Sequence, residues 1–198
     1  MKISDLRKDV KLLSKPLLEG QGYVETGELG EHVKITEWGD KHAISFDEVR
    51  DKASFSVSLR VFIYYKEIED VFQAVENRFP YTLNTLLSYG SVSIENYDIQ
   101  NTKDILEKMI SKDAKEFFMQ YGCTSLISKN LCSSDYAAWV TEDKVTQIKV
   151  RIASAIFEKD NSALSEAIDS ARKYTSQPWS LPDRDYINEL CTKAQASI

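Results

Sequence analysis

Two histidines, His32 and His42, are all that the 198 residues hold, and an imidazole is the side chain that most readily takes and gives a proton near neutral pH. A hairpin turning at Gly39-Asp40 with a type II′ two-residue loop pairs Trp38 with Lys41, Glu37 with His42, Ile35 with Ile44 and Val33 with Phe46. Glu37 then lies opposite His42, the arrangement of a base oriented by a carboxylate, and this is the enzyme reading, with Tyr64 and Tyr65 as further candidates. In the same register His32 and His42 fall on opposite faces, so they cannot share a metal ion. A cross-strand charge pair beside a turn explains Glu37 and His42 equally well without catalysis. No catalytic residue, metal ligand or cofactor is assigned from the sequence.

The remaining constellations have structural explanations. Gly20 to Gly27 is glycine-rich, but it follows a helical pattern and leads into a strand, the reverse of a dinucleotide-binding turn, and Glu19, Glu25, Glu28 and Glu31 around it repel phosphate. Neither a P-loop nor a GxSxG elbow occurs. Glu67, Glu69 and Asp70 open one helix and Asp183 and Asp185 another, where acids complement the helix dipole. Cys123, Cys132 and Cys191 form no CxxC and read as reduced thiols in or near the core.

These residues need elements to place them. From Ala53 to Ile63 apolar side chains alternate with Ser54, Ser56, Ser58 and Arg60, the period of a strand with one buried and one hydroxyl-lined face. Before it, Leu6, Val10, Leu13 and Leu17 make one stripe of a helix capped by Ser4 and kinked or broken at Pro16 near Ser14. After it, Ile68, Val71, Phe72, Val75 and Phe79 make a helix ended by Pro80, and the alternations on either side of Ser88-Tyr89-Gly90 predict a second hairpin. From Asn101 the period is helical, with a break at Ser111, a piece at 136–140, and helices opened by Thr141-Glu142-Asp143, by Asp160-Asn161-Ser162 and by a capping-box-like Ser180-Leu181-Pro182-Asp183. Pro178-Trp179 is expected to tuck the last link against the core. Strands followed by helices predict an α+β fold: an antiparallel meander covered on one face by helices, residues 1–100, with a helical part, residues 101–198, packed on it.

The 25 basic and 31 acidic residues leave a net charge of −6, with the acidity concentrated in the first half. Such a field disfavours nucleic acid and steers toward a basic protein. The charged first residues are unlike a signal peptide, and the apolar runs are too short for a membrane helix, so a cytoplasmic protein is expected.

The order of amphipathic helix, Gly20-Gln21-Gly22-Tyr23, charged hairpin and long strand entering Val71-Phe72 resembles a family of uncharacterised bacterial domains, over about residues 6 to 130. The resemblance implies a bacterial protein similar to the immunity proteins of toxin systems. The function expected is a non-enzymatic immunity-type or adaptor protein that binds a basic partner through Glu25, Glu28, Glu31, Glu37, Trp38, Ser56, Ser58 and Arg60. The alternatives are a small-molecule-binding or accessory domain and an enzyme using His42 with Glu37.

Overall fold

The computed structural model describes residues 2–26, 31–51, 54–72, 75, 81–93, 97–131 and 143–196. The fold is α+β, with a five-stranded antiparallel sheet in sequential order, β1 (Val24–Thr26), β2 (Glu31–Ile35), β3 (Lys41–Asp51), β4 (Ser54–Tyr64) and β5 (Leu83–Ser93). The helices are α1 (Ile3–Glu19), α2 (Lys66–Val71), α3 (Ile99–Lys108), α4 (Lys115–Tyr121), α5 (Thr124–Leu131), α6 (Lys144–Phe157), α7 (Asn161–Thr175) and α8 (Arg184–Gln195). The chain divides into two compact units, Met1–Ile63 with Asn84–Gly122, and Tyr64–Leu83 with Cys123–Ile198. This division does not follow a single cut at residue 100. The predicted helical piece at 136–140, the cap residues Thr141 and Glu142, and Phe79 and Pro80 lie outside the described residues.

In the first unit the β4 alternation holds: Phe55, Val57, Leu59, Val61 and Ile63 are buried while Ser54, Ser56, Ser58 and Arg60 are half-buried. Phe55 and Val57 form a core with Leu6 and Val10 of α1 and Leu106 of α3, flanked by Leu13, Leu17, Phe46 and Tyr97. The Tyr97 hydroxyl donates to Asp9 Oδ2 at 2.7 Å. α1 is continuous through Pro16 rather than broken near Ser14. The bond that proline removes would end on the Leu12 carbonyl, and Leu12 is on the exposed side of the helix. Its N-terminal N–H group, on Lys2, is taken by Asp5 at 3.1 Å, not by Ser4.

The hairpin between β2 and β3 departs from the expected register. Its pairs are His32 with Ile44, Val33 with Ala43, Lys34 with His42 and Ile35 with Lys41. The loop is Glu37-Trp38-Gly39, closed by Thr36 N donating to Asp40 O (2.9 Å) and by Gly39 N donating to Thr36 O (3.0 Å). Gly39, at φ 89, takes the left-handed position at the end of a three-residue loop instead of the first position of a two-residue one. The Thr36 hydroxyl accepts from Asp40 N at 3.1 Å and locks this form. The shift is odd, so every β2 side chain changes face: Ile35 is 66% exposed, and His32 is buried.

The second expected hairpin is one strand, β5, running straight through Ser88-Tyr89-Gly90. Its in-out alternation slips by one between Leu87 and Ser88, as at a bulge, which is what broke the sequence pattern there. Gly90 serves a close approach, since a Cβ there would come within 2.4 Å of Ile105 Cγ2 on α3. Ser111 does not break the helical run either: α3 continues into α4 through a π-helical segment, Met109–Ala114, that buries Met109, Ile110 and Ala114.

In the second unit α6 packs against α2, α5, α7 and α8. Asp143 caps α6 by accepting from Thr146 N (2.9 Å), and Asp160 caps α7 by accepting from Ala163 N (2.9 Å). The expected Ser180 cap of the last helix is not formed. The Ser180 hydroxyl donates instead to Thr175 O (3.1 Å) and Gln177 O (2.7 Å), and Asp183 occupies the N-cap position of α8. Lys149 of α6 and Glu69 of α2 form a buried ion pair, and the Thr82 hydroxyl donates to the same carboxylate while accepting from Tyr65 N at 3.2 Å. Glu69 is therefore not a solvated first-turn acid. Cys191 is a buried free thiol, Cys123 is partly exposed, and Cys132 lies outside the described residues. Among the described residues no helix is long and apolar enough to cross a membrane.

Candidate functional site

The corrected register brings His32 and His42 onto the same face of the sheet, because His32 is paired with Ile44, two residues from His42. They have different surroundings. The His42 ring stacks on Phe118 at 4.4 Å between centroids and 4° between planes, and its Nε2 is 2.6 Å from Gly122 O, so Nε2 carries the proton and donates. Its strand partner is Lys34, while Glu37 is exposed in the loop, so the oriented base of the enzyme reading does not form. His42 ties β3 to the end of α4.

His32 is a different case. It is 4% exposed, and neither ring nitrogen has a hydrogen-bond partner among the described residues. A buried polar group without a partner is costly and calls for an explanation. The ring lines a cavity of about 250 Å³ between α1 and the β1 to β3 strands. Arg7, Lys11 and Ser14 recur at helical spacing along α1 and supply one wall. From the sheet come Glu25, directly opposite His32 on β1, and Glu48 of β3.

Two ion pairs cross the cavity. Arg7 Nε lies 3.4 Å from Glu48 Oε2, and Lys11 Nζ lies 2.6 Å from Glu25 Oε1, with Lys15 Nζ 3.7 Å from Glu25 Oε2. The hydrogen bond from Lys11 holds the Glu25 carboxyl below its ordinary range, whereas burial pushes Glu48 upward against the pull of Arg7. Burial lowers both histidines. The cavity thus offers a neutral imidazole, with one donor and one acceptor nitrogen, between two cations and two carboxylates.

A consequence for stability follows from the lowered imidazoles. When pH falls, the unfolded chain takes a proton at each histidine before the folded chain does. Each therefore contributes stability that is complete above about pH 6.5, the ordinary imidazole value, and is lost as pH drops toward the folded value. Glu48 has the opposite sign, since its folded carboxyl takes the proton first. The urea midpoint should fall between about pH 7.5 and about pH 5.5, and His32→Phe should remove part of that slope. A flat profile over this range would contradict the buried neutral rings.

The residues expected from sequence to meet a partner are not gathered on one surface. Glu25 is turned to the α1 side and paired, Glu31 is buried, and Glu28 lies outside the described residues. Glu37 and Trp38 are exposed at the hairpin loop, Trp38 by 67%. Ser56, Ser58 and Arg60 line the outer sheet face, where Arg60 donates to Asp47 Oδ2 (3.0 Å) and Asn84 Oδ1 (3.2 Å). The His32 cavity escaped the sequence reading because the assumed register turned His32 outward. The signal available was the polar stripe Arg7, Lys11, Ser14 beside the apolar stripe of α1. No protein-family model, curated protein or solved structure matches the chain.

Proposed function

We propose that the protein works by binding, and that its ligand is a small polar molecule carrying charges of both signs, held against His32. The unpartnered buried imidazole is the observation that carries this reading. A ligand carboxylate exchanges into the Arg7 and Lys11 side of the ion pairs, a ligand ammonium into the Glu25 and Glu48 side, and the imidazole hydrogen-bonds the part between. A volume of about 250 Å³ suits an amino-acid-sized molecule, roughly eight waters' worth at ~30 Å³ each. In a bacterial cytoplasm, the setting this reading assumes, such molecules are abundant and Cys191 stays reduced.

The test is a thermal-shift screen of zwitterionic amino acids, their amides and small dicarboxylates on the wild-type chain and on His32→Phe. The phenyl ring occupies the same wall without nitrogens. At least one zwitterion should raise the wild-type Tm by several degrees at about 100 times its Kd, a stabilisation of about 2.7 kcal/mol, and should not raise that of His32→Phe. A shift retained in His32→Phe would refute the site.

A second reading, an immunity-type or adaptor protein masking a basic partner, is favoured by one observation: Trp38 is exposed on a locked loop, and tryptophan is among the side chains enriched at interface hot spots. It predicts a co-purifying basic protein that is lost on Trp38→Ser and weakened by salt. A Trp38→Ser chain that retains the partner would exclude this surface.

A further inference from the structure

We propose a separate binding site in the second unit: a groove between α6 and α7 that takes a phosphate ester carrying an aromatic ring, such as a nucleoside phosphate. The chain carries a net charge of −6, yet Lys144 and Arg151 of α6 and Lys173 of α7 converge on one cavity of about 370 Å³, whose walls continue through Ile148, Tyr174 and Trp179. Lys144 and Arg151 are two helical turns apart and so share a face, and Lys173 reaches the groove from the neighbouring helix. Among the described residues that line the cavity none is a carboxylate.

Trp179 supplies the second, independent observation. It belongs to a 3-10 turn, Pro178–Ser180, held to the end of α7 by the Ser180 hydroxyl, which donates to Thr175 O (3.1 Å); the same carbonyl accepts from Arg184 Nε of α8 (2.9 Å). Ser180 is fully buried, while the indole one residue earlier is 69% exposed, the opposite of the expected tuck against the core. A rigid turn that presents an indole at the edge of a cationic cavity offers a face for a planar ring, with Tyr174 and Ile148 continuing the apolar wall. Three cations suit a group with more than one negative charge, and charge-assisted bonds to phosphate oxygens are the strong ones. Two carboxylates act on Tyr174: Asp183, which accepts its hydroxyl at 3.3 Å, and Asp143. The phosphate therefore belongs with Arg151 and Lys173, and the ring with Trp179.

Calorimetric titration of the full chain with ATP, inorganic pyrophosphate and a hexaglutamate peptide tests this, with Lys173→Glu and Trp179→Ala compared. Both side chains are exposed, so the melting temperatures should stay near wild type; Lys144→Glu replaces Lys173→Glu if that variant melts early. ATP should bind saturably, Lys173→Glu should weaken ATP and pyrophosphate at least about tenfold, and Trp179→Ala should weaken ATP about tenfold while leaving pyrophosphate unchanged. His32→Phe should leave ATP affinity intact, which separates this site from the His32 cavity. The proposal is overturned if ATP gives no saturable binding, if Trp179→Ala binds ATP as wild type does, or if hexaglutamate binds more tightly than ATP, an outcome that assigns the groove to an acidic polypeptide.

Discussion

Replacing Lys149 by Met should cost about 3–5 kcal/mol in urea unfolding, a large part of the stability of a chain this size. Lys149 and Glu69 are both nearly inaccessible, and burial already pushes the Lys149 ammonium below its ordinary value against the attraction of Glu69. Removing the ammonium leaves a buried carboxylate whose remaining hydrogen-bond partner among the described residues is the Thr82 hydroxyl. The double variant Lys149→Met/Glu69→Leu should recover most of the loss, because neither charge then has to leave water. About 1 kcal/mol should remain missing, since Thr82 loses its acceptor while still accepting from Tyr65 N. A double variant as unstable as Lys149→Met would show that the pair fixes α2 on α6 by more than charge compensation.

His42→Ala should cost about 2–4 kcal/mol, through loss of the Phe118 stack and of the donor to Gly122 O. His42→Phe keeps a ring on Phe118 and removes only the donor, so its cost should be nearer 1–2 kcal/mol. Neither should change ligand affinity at His32 when measured on the folded fraction. A large affinity loss in His42→Phe with unchanged stability would return His42 to a functional role.

The alternation in β4 was legible because a face that must be buried tolerates only apolar side chains at every second position, and Phe55, Val57, Leu59, Val61 and Ile63 meet that demand without exception. The β2 register was not legible. Gly39 serves equally at the start of a two-residue loop or the end of a three-residue one, and the pairing of Ile35 with Ile44 favoured the first form. The Thr36 side chain, whose bond to Asp40 N selects the second, has no signature in a hydrophobic pattern. Glu25 looked like part of an acidic surface because its partners, Lys11 and Lys15, are on a helix read by itself; only the packing of α1 on the sheet joins them. Gly90 looked like a turn because a glycine demanded by a nearby helix and one demanded by a bend are the same letter. Lys149 and Glu69, 80 positions apart, leave no local trace at all.

With two histidines in the chain, ring-nitrogen NMR directly reads whether His32, unpartnered among the described residues, holds a neutral imidazole against the proposed ligand site. At neutral pH His42 should show one protonated nitrogen, Nε2, protected from exchange. His32 should show a neutral ring whose nitrogen shifts move saturably when a zwitterion identified by the thermal screen is added, while those of His42 stay still. A His32 ring that is charged at neutral pH, or that does not respond to a zwitterion shown to bind, would rule out the proposed binding at His32.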